Sequence, residues 1–329
     1  MEFSHINTDL IPNKPTSVGE DSCYRSVSEA EWNSELEAHL LRYANLVEPH
    51  TERRSRHIKD PITDFLFEYY AFRPSHLKRF SPGLGVVLEG DTAEQFLGRP
   101  EFARVTGGVA LVPSAGNVKG KVDVFESGSR WILHLLRATQ DRKPRFSCFG
   151  MHEWAMLYKS DDPRHAQLNL RVSEDELAGV VEEIGVRCSH FDAYRFFTDA
   201  AIPLNEKPLT REAMPMCEQP GCLHANMDVY RWAFKRAPWI SSRLTMDAFE
   251  LALEIRQIDM ASSPYDLTSA GVEPVRVETR EGREIFVRAQ QNFADRAALL
   301  RTRLIEEYEL LLEQLVDTNR SFAIPESTS

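Results

Sequence analysis

Residues 218–235, EQPGCLHANMDVYRWAFK, decide how this chain folds. Gln219-Pro220-Gly221 reads as a turn, and no proline or glycine follows before Pro238, so a helix of about four turns fits. At about 3.6 residues per turn, Leu223, Met227, Tyr230 and Phe234 share one face, while Ala225, Val229, Trp232 and Ala233 cover much of the opposite side. Between them runs a narrow polar stripe of His224, Asp228, Arg231 and Lys235. A helix apolar around most of its circumference is buried, so the stripe faces a small solvent window or a polar pocket. With a solvent window, Asp228 and Arg231 are a local i,i+3 pair. With a pocket, His224 and Asp228 are half of an active site.

Neighbouring segments supply candidates for the other half. CFGMHEWAMLY (148–158) sets His152 and Glu153 among Phe149, Trp154 and Tyr158, and reads equally as helix or strand. VRCSHFDAYRFF (186–197) puts His190 and Tyr194 on one face if helical, although Ser189 with Asp192 is also a capping box. Asp60-Pro61 is a cap pair opening the helix PITDFLFEYYAF, whose later polar positions, Asp64 and Glu68, lie four residues apart. Like charges at that spacing destabilise a helix unless a cation, a base or a shared proton separates them, and no lysine or arginine shares that face. The helix over 245–260 carries Asp247, Glu250, Glu254 and Gln257 as a second acidic stripe, which a solvent-facing helix tolerates at small cost.

The remaining pattern is mostly helical. Ser28 with Glu31 and Ser173 with Glu176 are capping boxes; the first opens a helix through Trp32, Leu36, Leu40 and Tyr43, the second one ending at Gly185. Val86–Leu88 reads as a strand, 102–112 as a hairpin about Thr106-Gly107-Gly108, and 131–138 as a helix. Over 284–316, Phe293, Ala297, Leu300, Leu304, Tyr308, Leu311 and Leu315 form one amphipathic seam, internal or between two copies of the chain. The expected fold is mostly α: a compact multi-helix domain over 27–319, with a small β-hairpin insertion and a long C-terminal amphipathic helix. A flexible tail is expected over 1–26 and fraying over 320–329.

Composition narrows the function. The 329 residues are 42% hydrophobic and 27% charged, an ordinary soluble balance. Against 39 basic residues stand 50 acidic ones, and the net charge of −11 argues against broad nucleic-acid binding. It leaves room for a local groove at Arg53, Arg54, Arg56, Lys78 and Arg79, or at a second cluster of Arg137, Arg142, Lys143 and Arg145. The five cysteines lack CxxC spacing, so neither a disulfide framework nor a zinc knuckle is indicated. No basic-then-apolar leader and no apolar run of membrane length is present, so the expectation is cytoplasmic and membrane-free. The motifs GxxxxGK[ST], GxGxxG, GxSxG and HExxH are all missing.

Three histidines beside carboxylates in aromatic-rich segments raise the expectation of one shared pocket, walled by Tyr69, Tyr70, Trp154 and Tyr194. Two chemistries would use it. His152, His190 and His224 with Asp64, Glu68 and Asp228 could hold one or two divalent transition metals (iron, manganese or zinc), as helical carboxylate proteins do. Such a protein would be an oxidase or hydrolase acting on a small molecule. Alternatively, an acid and a histidine between aromatic walls could take a flipped base and activate water.

PITDFLFEYYAFRPSHLKRFSPGLGVVLEG, CFGMHEWAMLY, RCSHFDAYRFFTDAAIPLN, EQPGCLHANMDVYRWAFK and DMASSPYDL resemble a bacterial family commonly labelled 3-methyladenine DNA glycosylase, over roughly 28–315. The resemblance implies hydrolysis of the N-glycosidic bond of an alkylated base in damaged DNA. Roles are placed on physical grounds. Asp228 would activate water or stabilise the sugar cation, and His224 would orient it. His152, Glu153 and His190 would complete the site, and Tyr69, Tyr70 and Trp154 would stack on the base.

Overall fold

The computed structural model describes residues 24–114, 116–160 and 168–322, with side chains through 315. β1 (Arg25–Val27) leads into α1 (Glu29–Leu46), α2 (Glu48–Ser55), α3 (Thr63–Glu68) and α4 (Pro74–Leu77). Three further strands follow: β2 (Val86–Leu88), β3 (Phe102–Val105) and β4 (Gly108–Leu111). Helices then run to the end: α5 (Val122–Gln140), α6 (Met151–Ala155), α7 (Glu174–Ile184), α8 (Phe191–Tyr194) and α9 (Met214–Cys217). The last three, α10 (Leu223–Lys235), α11 (Ser242–Ala261) and α12 (Arg280–Phe322), are the frame of the molecule. The fold is mostly α, as the sequence indicates.

The sheet is larger than the expected hairpin. Its order is β1-β2-β4-β3, with Arg25 opposite Val86 in the parallel pair and Val105 opposite Gly108 at the hairpin turn. Of the tail expected over 1–26, residues 1–23 lie outside the described residues, whereas Arg25 and Ser26 are strand. The capping box after them is formed, Ser28 N and Oγ both donating to Glu31 Oε2 at 3.0 and 2.6 Å. α12 is helical through Phe322, and residues 323–329 of the end expected to fray lie outside the described residues. Asp60 Oδ1 accepts from the amides of Ile62 and Thr63, but the helix it starts is short and ends before Ala71, whose φ is +53°.

α10 packs against both α11 and α12, and α5 packs on the other side of α12. Two apolar cores result. The main one takes Phe293, Ala297, Leu304 and Tyr308 from α12; the smaller one joins Leu311 and Leu315 to Trp32, Phe96 and Trp239 beside the sheet. The seam of α12 is thus used within the chain. A second copy would have to meet its outer face, where Ile285 and Leu299 are exposed. The acidic stripe of α11 is partly exposed and also bridged: Arg42 from α1 holds Asp247 and Glu250 at 2.7 and 2.8 Å, and Arg296 holds Glu254 at 2.6 Å. Among the described residues no helix is long and apolar enough to cross a membrane.

Candidate functional site

The start of α10 is fixed by the turn before it. Gln219 Oε1 accepts from the amides of Arg145 and Gly221, both at 2.8 Å, and Arg142 donates to Glu218 O at 2.8 Å. Gly221 is needed for close approach, since a Cβ there would stand 2.5 Å from Arg145 O. From behind, Gln290 donates to Gly221 O and Arg301 to Asn226 Oδ1, at 2.9 and 2.7 Å. The polar stripe that follows runs from buried His224 and Asp228 through half-buried Arg231 to exposed Lys235. It therefore faces a pocket at one end and water at the other.

At the buried end lie two groups of the same plan, each a histidine, two carboxylates and a bridging arginine. In the first, His152 Nε2 is 2.9 Å from Asp259 Oδ1, and Arg256 Nη1 bridges Asp259 and Glu153 at 2.6 and 2.8 Å. In the second, His190 Nε2 is 3.7 Å from Asp228 Oδ2, and Arg231 Nη1 bridges Asp192 and Asp228 at 2.6 and 2.9 Å. Tyr70 donates to Asp228 Oδ1 at 2.7 Å. His224 separates the groups, its ring edge-on to His152 at 4.4 Å and parallel to His190 at 5.4 Å. The donor atoms of His152, His224 and Asp259 lie within 4.8 Å of one another, as do those of His190, Asp192 and Asp228.

The local sequence explains this convergence. Gly150, with φ at +71°, turns the chain sharply into α6, and a Cβ there would meet Ser262 Oγ at 2.5 Å. His152 and Glu153 are thereby pressed against the end of α11. His190 sits just before α8, its Nδ1 3.1 Å from Glu218 Oε1. Arg256 and Asp259 share one face of α11 at i,i+3 and are both buried.

Burial works against charge on all three histidines, and their neighbours decide the outcome. Asp259 overrides burial at His152 and lifts it to about 10, and Glu218 with Asp228 raises His190. At His224, burial is joined by repulsion from His152, which holds it well below the ordinary histidine value. A neutral imidazole thus stands between two that favour the charged form. Despite its burial, Asp259 is held below the usual carboxylate range by His152. Several of these atoms have no well-aligned hydrogen bond: His152 Nε2, both nitrogens of His190, Glu218 Oε1 and Asp259 Oδ1. They are held by ion pairs instead, His152 Nε2 with Asp259 Oδ1 at 2.9 Å and His190 Nδ1 with Glu218 Oε1 at 3.1 Å.

A narrow cleft of about 20 Å³, room for little more than one water molecule, leads to this centre. Phe65, Tyr69, Met156 and Phe196 wall it; His224, Glu153, Asp192 and Arg256 provide its polar lining. The structure thus brings together Asp228, His224, His190, His152 and Glu153, with Tyr69 at the cleft.

Other expected residues are elsewhere. Asp64 is paired with His50 Nδ1 at 2.8 Å and accepts from the amide of Asp60, while Glu68 is exposed; neither joins the histidines. The missing base for Asp64 comes from α2, where His50 stacks on Phe67 at 4.0 Å. Trp154 is a core residue, its indole donating to Ser262 O at 2.9 Å. Tyr194 is buried against Phe197, and Tyr70 holds Asp228 instead of walling the cleft. Arg256, Asp259 and Glu218 were not singled out from the sequence. The available signal was two charged residues on the apolar face of α11, beside Ala252, Ile255 and Met260.

The first basic patch is divided. Arg53 is tied to Thr63 Oγ1 and Asp60, Lys78 reaches Glu48 at 3.8 Å, and Arg54, Arg56 and Arg79 are exposed. Compared with known proteins, the chain matches no family model, no curated protein and no solved structure.

Proposed function

We propose that this protein is a metal-dependent oxidase or hydrolase acting on a small molecule that enters the aromatic-walled cleft. The observation that carries the reading is the pair of triads, His152/His224/Asp259 and His190/Asp192/Asp228, in each of which the possible ligand atoms lie within 4.8 Å of one another. A bound iron, manganese or zinc ion would supply Lewis-acid activation of water or of a substrate oxygen. The remaining work falls to the chain. Arg256 and Arg231 hold their carboxylates in place. His224, held neutral at the cleft, keeps a ring nitrogen lone pair available to an ion. Phe65, Tyr69 and Phe196 limit water and favour a flat or apolar substrate.

Elemental analysis after exposure to each ion and exhaustive dialysis tests this reading. The expected result is one or two equivalents of one metal, with affinity lowered roughly 10–100-fold or more in His152→Ala and His224→Ala. Wild-type protein that retains none of the three ions removes the reading.

A second reading keeps the glycosylase expectation, favoured by the resemblance and by the aromatic side chains Phe65, Tyr69 and Phe196 that line the cleft. It expects base release from methylated duplex DNA, abolished in Asp228→Asn. Release at the wild-type rate in that variant would take Asp228 out of the chemistry.

A further inference from the structure

A second cleft, of about 600 Å³ including its open mouth, lies between α4, the end of α10 and the start of α11. Four basic residues line it: His76, Arg79, Arg99 and Lys119. Several long cations elsewhere are matched, Arg42, Arg171, Arg231, Arg256 and Arg296 each holding a carboxylate at 2.9 Å or less, whereas Arg54 and Arg56 are exposed like Arg79. Here Arg79 and Lys119 are exposed and have no carboxylate partner among the described residues. The one acid of the lining, Glu101, stands 3.9 Å from Arg99 and faces several positive groups. In a chain of net charge −11, two exposed cations without a carboxylate beside Arg99 in one concavity favour an anion there.

The cleft is also built to take more than a bare ion. Its floor is apolar, formed by Phe234, Pro238, Ile240 and Met246. Arg99 is preset: Nη1 donates to Phe80 O at 2.6 Å and the guanidinium lies 4.7 Å from the centre of the Phe102 ring. The His76 ring is parallel to Phe234 at 6.2 Å, which directs it along the floor. Burial first, then the charges of Arg79 and Lys119, hold His76 below its ordinary value, in keeping with cations crowded around it.

We propose that this cleft binds a small phosphate monoester, with the phosphate among Arg79, Arg99 and Lys119 and the organic part over Phe234, Ile240 and Met246. A planar guanidinium and a lysine ammonium are the side chains that meet phosphate oxygens in charge-assisted hydrogen bonds. The site is separate from the histidine centre: Phe234 lies ten residues along α10 from His224, about 15 Å at the helical rise. The assignment does not depend on a metal being bound.

Calorimetric titration with phenyl phosphate, phenol, inorganic phosphate and a short DNA duplex tests it, with wild-type protein and the double variant Arg79→Ala/Lys119→Ala. Both positions are exposed, so the variant should keep its urea unfolding midpoint. The expected result is saturable single-site binding of phenyl phosphate, weakened about tenfold or more in the variant. Phenol should bind neither protein. Absence of saturable phenyl phosphate binding, or equal affinity in the variant, overturns the site. Inorganic phosphate binding as tightly as the ester overturns the role of the apolar floor. Duplex binding that is tighter than the ester's and lost in the variant overturns the small-molecule assignment in favour of a nucleic-acid backbone.

Discussion

Arg256→Met is expected to destabilise the metal-free protein by about 3–5 kcal/mol. The arginine is 1% exposed and bridges Glu153 and Asp259, which are also buried. Its guanidinium lies 3.9 Å from the centre of the Phe65 ring, so it also packs against the wall of the cleft. Methionine keeps much of the volume and none of the charge. Two carboxylates would then remain in a dry interior with only His152 to balance Asp259, and desolvation would act on Glu153 without compensation. Urea unfolding of both proteins at neutral pH measures the effect. A loss below about 1 kcal/mol would mean that water reaches both acids and that the centre is not desolvated.

Metal-free wild-type protein should lose stability steadily between about pH 6.5 and pH 10, and His152→Gln should show a smaller loss, that of the raised His190. The folded His152 is raised to about 10 while an unfolded histidine titrates near 6.5, so the folded state binds this proton more tightly. Its contribution is complete below about pH 6.5, declines as pH rises, and is gone once pH passes the folded value. At about 1.4 kcal/mol per unit, the full span is on the order of 4–5 kcal/mol. The depressed Asp259 is the other end of the same contact; its share is present above about pH 4 and disappears as pH falls towards its folded value, so the two are not added. Denaturant midpoints across the pH range, compared between wild type and His152→Gln, isolate the effect from His190. Parallel curves would show that His152 is neutral in the folded protein.

The centre was half legible in the sequence. On α10 the mixture of a narrow polar stripe with apolar flanks identified His224 and Asp228, because a buried helix has few reasons to carry them. Asp259 and Arg256 were hidden by a more conspicuous stripe on the same helix, Asp247/Glu250/Glu254, whose partners Arg42, Arg296 and Arg303 come from distant helices. Periodicity reports which residues share a face but not which helix covers it. The same limit applies to Asp64, whose base is His50, fourteen positions earlier and on another helix. Tyr194 and Trp154 were drawn into the site by composition alone, although an aromatic ring near a histidine is as easily a core residue. The parallel strand β1 left only three residues of signal, too short to separate from a polar tail.

α12 follows every other described element in the chain, yet it walls both cores and supplies Gln290 and Arg301 behind the turn that aims His224. Contacts such as that of Leu315 with the cluster holding Trp32 span most of the sequence. Each core lacks a wall until the last long helix docks. His152, His190, His224 and Asp259, drawn from separate segments, therefore depend for their mutual geometry on a helix that contributes none of them.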